Sequence, residues 1–158
     1  MKASSKRAIP YRALADFRYE IRRFLNFSEQ AARAAGVEPQ QHQALLAIKG
    51  LPLNREATVG HLAERLQIRP HTAVELAIRL ERKKLIRRSR NSADRRQVFL
   101  RLTPRGERLL QNLSESHRAE LSSAGPKLLC ALETAVRLAR NFRELSAPGT
   151  RKPRRHSR

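Results

Sequence analysis

Residues 91–106 read Asn-Ser-Ala-Asp-Arg-Arg-Gln-Val-Phe-Leu-Arg-Leu-Thr-Pro-Arg-Gly (NSADRRQVFLRLTPRG). A polar stretch, RNSAD, is followed by a short run in which Val98, Leu100 and Leu102 alternate with Phe99, Arg101 and Thr103. Alternation of that kind predicts a half-buried strand, and RNSAD predicts the turn before it. The preceding LIRRS, Leu85–Ser89, predicts the partner strand, so the segment reads as one hairpin with charged residues at its tip. Pro104 then suits the first position of a helix.

Upstream of the hairpin the period is helical. Tyr11–Ala35 carries Leu14, Phe17, Ile21, Phe24, Leu25 and Ser28 at steps of three and four, and Gly36 is expected to end that helix. Pro39 opens a second helix, Gln40–Lys49, which GLP stops. Thr58 is expected to cap a third through Leu66, with Leu62, Ala63 and Leu66 inward. After the short break QIR, Pro70 opens a fourth to about Lys84, carrying Thr72, Ala73, Leu76, Ala77 and Leu80. Two helices joined by so short a turn predict a helix-turn-helix, and a hairpin directly after it is a wing. Downstream, Leu109, Leu110, Leu113 and Leu121 predict a helix from Pro104 to about Ser122. A break is expected at Gly125-Pro126, then a last helix over Lys127–Leu145. The fold class is therefore mainly α with a small β-hairpin wing. Residues 1–9 and 146–158 read as basic, disordered tails.

Charge indicates the partner. The 158 residues contain 34 Lys and Arg against 14 Asp and Glu, a formal net charge of +20, with an ordinary apolar content of 40%. Such an excess implies a polyanion, and the apolar content implies a folded chain. Between Arg79 and Arg108 stand twelve Lys or Arg and only three acidic residues, Glu81, Asp94 and Glu107. Duplex DNA presents one negative charge per ~1.7 Å of axis, so this surface is expected to bind phosphate. The C-terminal tail, with Arg151, Lys152, Arg154, Arg155 and Arg158, serves either as a solubilising tail or as a non-specific phosphate contact. No apolar run is long enough to cross a membrane, and the basic N-terminus lacks the apolar stretch of a signal peptide. With the single Cys130, this implies a cytoplasmic protein with no membrane partner.

An Arg at a hairpin tip can enter a narrow, A·T-rich minor groove, and a nearby Asp can hold its guanidinium in one orientation. A solvated turn with a local ion pair is the plainer alternative; directly after a helix-turn-helix the groove role is favoured. On that reading Arg95 and Arg96 touch DNA and Asp94 orients them. For base contacts we select Arg69, His71, Thr72, Glu75 and Arg79, at the start and outer face of the fourth helix. Glu75 either accepts from cytosine or pairs with Arg79 one turn on. Lys83, Lys84, Arg87 and Arg88 are assigned to phosphates.

Over Thr58–Leu110 the chain resembles the core of MarR-type transcriptional regulators. The resemblance rests on Leu62-Ala63-x-x-Leu66, Thr72, the Leu85-Ile86 entry to the wing, Asp94-Arg95-Arg96 and Leu102-Thr103-x-x-Gly106. It implies a winged helix-turn-helix at about 39–103, flanked by dimerisation helices at about 10–35 and 104–145. It also implies a homodimer, probing an inverted-repeat operator in double-stranded DNA and acting as a repressor. Many such proteins release DNA on binding a small aromatic or phenolic effector, and Phe17, Ile21, Phe24 and His42 are the candidates to line its pocket, though plain core positions would look the same. The chain departs from the family where Lys84 stands for a frequent Gly, Arg69 for a capping Ser or Asn, and Asn91-Ser92 for Asp-Pro. Lys84 must then leave the helix without glycine's freedom.

Other chemistry is sparse. His61 and Glu64 are one helical turn apart and read as a surface pair, so no metal and no cofactor is expected. Cys130, set among leucines, is expected to be a buried, inert thiol. No phosphate loop or nucleophile arrangement stands out, which argues against an enzyme. The alternative function is an architectural, largely non-specific DNA-binding protein driven by its basic charge.

Overall fold

The computed structural model describes residues 11–52, 55–90 and 97–144, with side chains through residue 140. The wing tip with Asp94, Arg95 and Arg96, the two basic tails, and the side chain of Phe142 lie outside the described residues. Five helices and three strands follow in the order α1 (Tyr11–Ala34), α2 (Pro39–Lys49), β1 (Ala57–Thr58), α3 (Val59–Leu66), α4 (Pro70–Arg82), β2 (Ile86–Arg90), β3 (Val98–Leu102) and α5 (Pro104–Glu144).

The chain divides into two compact units. One is Phe24–Ser122; the other combines, of the described residues, 11–23 with 123–144. The first holds a continuous core in which Leu45, Leu62, Leu76, Leu80, Ile86 and Leu100 are fully buried. Ala32, Ala44, Ala73 and Ala77 are also fully buried, and their small side chains let helices approach closely. This unit is wider than a winged helix-turn-helix alone, because Ala32, Val37, Leu110 and Leu113 share its core.

Helix ends follow local chemistry. Three of them close in the same pair of hydrogen bonds: the amide after the left-handed residue reaches five residues back, and the left-handed residue's own amide reaches three back. After α1, Val37 N–H donates to Ala32 O and Gly36 N–H to Arg33 O. After α3, Ile68 and Gln67 donate to Ala63 and Glu64; after α4, Leu85 and Lys84 donate to Leu80 and Glu81. Each turn needs a left-handed residue. Gly36 supplies φ 79°, but Gln67 and Lys84 adopt φ 52° and 58° with a side chain in place. Thr58 caps α3 by accepting from His61 N–H at 3.1 Å.

The Leu-Thr-Pro-x-Gly segment is explained by one junction. Thr103 donates from its hydroxyl to Lys84 O at 2.7 Å and accepts from Gly106 N–H at 3.1 Å, so it caps α5 while tying it to the turn before the wing. Gly106 lies so close to that turn that a β-carbon would sit 2.0 Å from Leu85 O. No side chain fits there.

The structure corrects three expectations. The sheet has three strands, in the order β1-β3-β2, where a two-stranded hairpin was expected. Ala57 pairs with Leu100 and Thr58 with Phe99; two residues are too few to show a period in sequence. Gly125-Pro126 does not break the last helix, and α5 runs unbroken through Pro126. Proline removes the amide that would bond Ser122 O, but Ser122 and Pro126 are both exposed, so water can satisfy that carbonyl. Cys130 is exposed. The inward stripe of this part of α5 runs through Ala124, Leu128, Ala131 and Ala135, and Cys130 is one residue off it.

Candidate nucleic-acid interface and a histidine-lined cavity

Helix α4 turns Ala73, Leu76, Ala77 and Leu80 into the core. The opposite face therefore presents Arg69, His71, Glu75 and Arg79, all exposed, with Thr72 half-buried beside them. Arg69 stands exposed at the N-cap, without a side-chain cap bond. Glu75 and Arg79 form no ion pair with each other among the described residues, so the intrahelical partnership does not occupy Glu75. Val74 was not foreseen. It is 41% exposed on this same face, and its only signal in the sequence is an apolar residue off the inward stripe.

The basic residues beyond α4 separate into two groups. Arg87 and Lys84 are exposed and form no ion pair among the described residues. Arg88 is held: its Nε donates to Glu81 Oε2 at 2.6 Å and its amide to Glu81 Oε1 at 3.1 Å. These bonds hold the Glu81 carboxyl below its ordinary pKa and join the end of α4 to β2. Lys83 Nζ donates to Gly36 O at 3.0 Å, tying α4 to the α1–α2 turn. Arg101 makes a two-pronged pair with Glu56, through Nε at 3.2 Å and through its terminal nitrogen, which lowers the Glu56 pKa. Part of the positive charge counted in the sequence is thus engaged within the chain.

In the same unit an open cavity of about 500 Å³ is lined by Phe24, His42, Leu46, Ser114, His117, Arg118, Leu121 and Ser122. Phe24 and His42 were expected there; Phe17 and Ile21 are half-buried and do not line it. His42 is 1% exposed, and neither ring nitrogen has a partner. Its ring lies 4.8 Å from that of His117. His117 is fully satisfied: Nδ1 meets Leu113 O at 2.5 Å and Nε2 meets Ser28 Oγ at 2.7 Å. The carbonyl can only accept, so Nδ1 donates to it. Phe24 and Phe27 pack edge-on against this ring. Burial, then the neighbouring His117, lowers the His42 pKa to about 4. His61 and Glu64 do not belong to any three-residue cluster suited to a metal ion among the described residues.

This arrangement has known counterparts. A model of the MarR family matches residues 35–97, from the end of α1 into the wing. The HTH-type transcriptional repressor MdtR of Bacillus subtilis is 32% identical over 114 residues, covering 63% of this chain and 72% of MdtR. A crystal structure of a MarR family transcription regulator superposes with a TM-score of 0.68 at 24% identity, covering 88% of this chain and 93% of that one. A point mutant of Staphylococcus aureus MepR bound to an oligodeoxyribonucleotide gives 0.60 at 21% identity, covering 88% and 100%. Helix-turn-helix, wing, and identity to MdtR over most of its length agree: the chain belongs to the MarR family of transcriptional regulators.

Proposed function

We propose that the chain is a dimeric, sequence-specific binder of double-stranded DNA that represses its targets from inverted-repeat operators. Family membership sets it among regulators and not among enzymes. The observation that carries the finer reading is the outward face of α4, where Arg69, His71, Val74, Glu75 and Arg79 lie together on a firmly packed helix. Arginine reads guanine, Glu75 accepts from cytosine, and Thr72 and Val74 offer methyl groups to thymine. Arg87 and Lys84 hold phosphates, and Arg95 and Arg96, oriented by Asp94, enter the adjacent minor groove. Lys83 and Arg88 serve mainly to fix α4 and β2 in their relative positions.

The dimer reading draws on the ends of the chain. Tyr11, Leu14, Tyr19, Leu129, Leu132 and Val136 are large apolar side chains left 39–70% exposed. A second copy would cover them, pairing α1 and α5 across a two-fold axis and setting two α4 helices about one DNA turn apart. Release by a small effector uses the cavity at Phe24 and His42.

Retention of sheared genomic DNA at about 150 mM salt, where charges are screened beyond ~8 Å, tests this. Enrichment of a few inverted repeats is the expected result. Even coverage, lost steeply with added salt, would favour the second reading, an architectural protein driven by the +20 charge. Arg95→Ala and Arg96→Ala should weaken binding and relax A·T preference beside the half-site; unchanged affinity in both removes the minor-groove role.

A further inference from the structure

Two neighbours on the outward face of α4 are out of place on a surface suited to a polyanion. Val74 is a large apolar side chain left 41% exposed. Glu75 is exposed, and among the described residues it has neither an ion pair nor a hydrogen bond. Other carboxylates set among the basic residues are held: Glu81 by Arg88, Glu56 by Arg101 and Glu107 by Lys49. Neither Val74 nor Glu75 can turn away, because Ala73, Leu76 and Ala77 beside them are fully buried and fix the rotation of the helix. A bare carboxylate facing phosphates weakens binding to every duplex unless it meets a donor. On the major-groove edge the donors are the amino groups of cytosine and adenine, and the apolar group is the ring methyl of thymine.

We propose that Val74 and Glu75 together read one 5-methylcytosine in each half-site, so that cytosine methylation of the operator strengthens binding. The inference rests on reading the outward face of α4 as the base-reading surface. The two residues are consecutive, so an apolar patch and an acceptor patch adjoin. A pyrimidine carries its amino or carbonyl group and its methyl position on adjoining ring atoms of the same groove edge. Cytosine offers the amino group to Glu75 but only a C–H to Val74. Thymine offers the methyl to Val74 but turns a carbonyl oxygen, an acceptor, toward the carboxylate. 5-Methylcytosine offers both groups from one ring, and its methyl projects into the groove without touching the pairing to guanine. An A·T pair also presents an amino group and a methyl, but from opposite strands. Arg69 and Arg79, exposed on the same helix, supply positive charge that offsets the carboxylate.

The test presents the full chain with two random duplex libraries, one built with cytosine and one with 5-methylcytosine on both strands. The expected result is that the methylated library yields the tighter sites, which share one cytosine position in each half-site. Plain cytosine at that position of a selected duplex should weaken binding about fourfold per half-site, and about fifteenfold when both are changed. Val74→Ala should bind the two duplexes alike. Glu75→Gln, whose carboxamide can donate to a carbonyl oxygen, should accept thymine there, where the native chain discriminates about tenfold or more. These are ratios between duplexes for one protein, so a change in stability does not imitate them. Equal affinity for the methylated and plain duplexes, or a gain that survives Val74→Ala, overturns the proposal and leaves the base-reading face standing. Sites that centre on adenine, and weaken when uracil replaces the paired thymine and so removes its methyl, overturn it in favour of an A·T pair. If neither library yields a shared sequence, sequence-specific reading falls with it.

Discussion

The two units of this chain invest their apolar residues in opposite ways. Between Phe24 and Ser122, Leu45, Leu62, Leu76, Leu80, Ile86 and Leu100 from α2, α3, α4 and the sheet are removed from water almost completely. In residues 11–23 and 123–140 the only buried apolar side chains are alanines, Ala13, Ala124 and Ala135, while Tyr11, Leu14, Tyr19, Leu129, Leu132 and Val136 face outward. Both regions contain helices that are amphipathic in sequence. The first buries a core of large side chains as one copy; the second has an apolar stripe that the described residues leave exposed. Amphipathicity tells that a helix will be covered, and does not tell by what.

The largest effect should come from breaking the second region alone. Leu132→Glu with Val136→Glu sets two carboxylates on the exposed stripe. In a dimer interface they would be buried and unpaired, so light scattering should show a monomer. Operator affinity should fall about 100-fold or more, because two linked half-sites become one. Thermal unfolding of the winged unit should change little. A dimer that survives both substitutions would remove this stripe from the interface. The counterpart inside the first region is Gly106→Ala. Its β-carbon would meet the Leu85 carbonyl at 2.0 Å, and that carbonyl belongs to the turn that Thr103 secures. Backbone must move, so we expect a loss of about 3 kcal/mol or more in denaturant unfolding.

The same contrast explains what was legible in the sequence. Features set by neighbours along the chain could be read: the helix starts at Pro39, Thr58 and Pro70, the Gly36 stop, the inward faces of α3 and α4, and the alternation in β3. Features set by distant partners could not. β1 exists because Ala57 meets Leu100, and Arg101 is engaged because Glu56, 45 residues away, faces it. Arg88 and Lys83 looked like free cations until Glu81 and Gly36 O were found beside them. Cys130 was misjudged by one helical step. At the candidate site, the outward set on α4 followed from its inward stripe, whereas the cavity needed α1, α2 and α5 together. Only Phe24 and His42 of its four expected residues line it.

His42 allows a smaller, pH-resolved comparison within the well-packed unit. Its pKa is 6.5 in an unfolded chain and about 4 in the fold. The unfolded state therefore binds more protons between those values, and stability falls as pH falls from 6.5 toward 4, being fully present above 6.5. At about 1.4 kcal/mol per unit the full effect is at most roughly 3 kcal/mol, and about 2 kcal/mol of it should be lost by about pH 5. Urea unfolding of the native chain and of His42→Phe at several pH values isolates this term, since the other histidines are common to both. Equal pH slopes would mean that water reaches His42 and keeps its ordinary pKa. At neutral pH the Phe variant should be the more stable of the two, because it removes two unmet polar atoms from the interior.

The smallest effect concerns two turns built alike. Gly36 and Lys84 both close a helix in the left-handed region, at φ 79° and 58°, with the same pair of backbone bonds. Glycine adopts that conformation freely; a lysine pays strain of about 1 kcal/mol or more, partly offset because glycine loses more freedom on folding. Lys84→Gly should therefore raise stability by about 0.5 kcal/mol, seen as a higher denaturant midpoint at unchanged slope. The bond from Thr103 to the Lys84 carbonyl involves backbone and survives. Operator binding separates strain from function at the same position. If the Lys84 ammonium holds a phosphate, the variant binds more weakly and its dependence of log affinity on log salt becomes shallower by about one unit. A more stable protein with an unchanged salt slope would mean that Lys84 touches no phosphate, and that the positive charge at this turn is incidental to how the wing meets DNA.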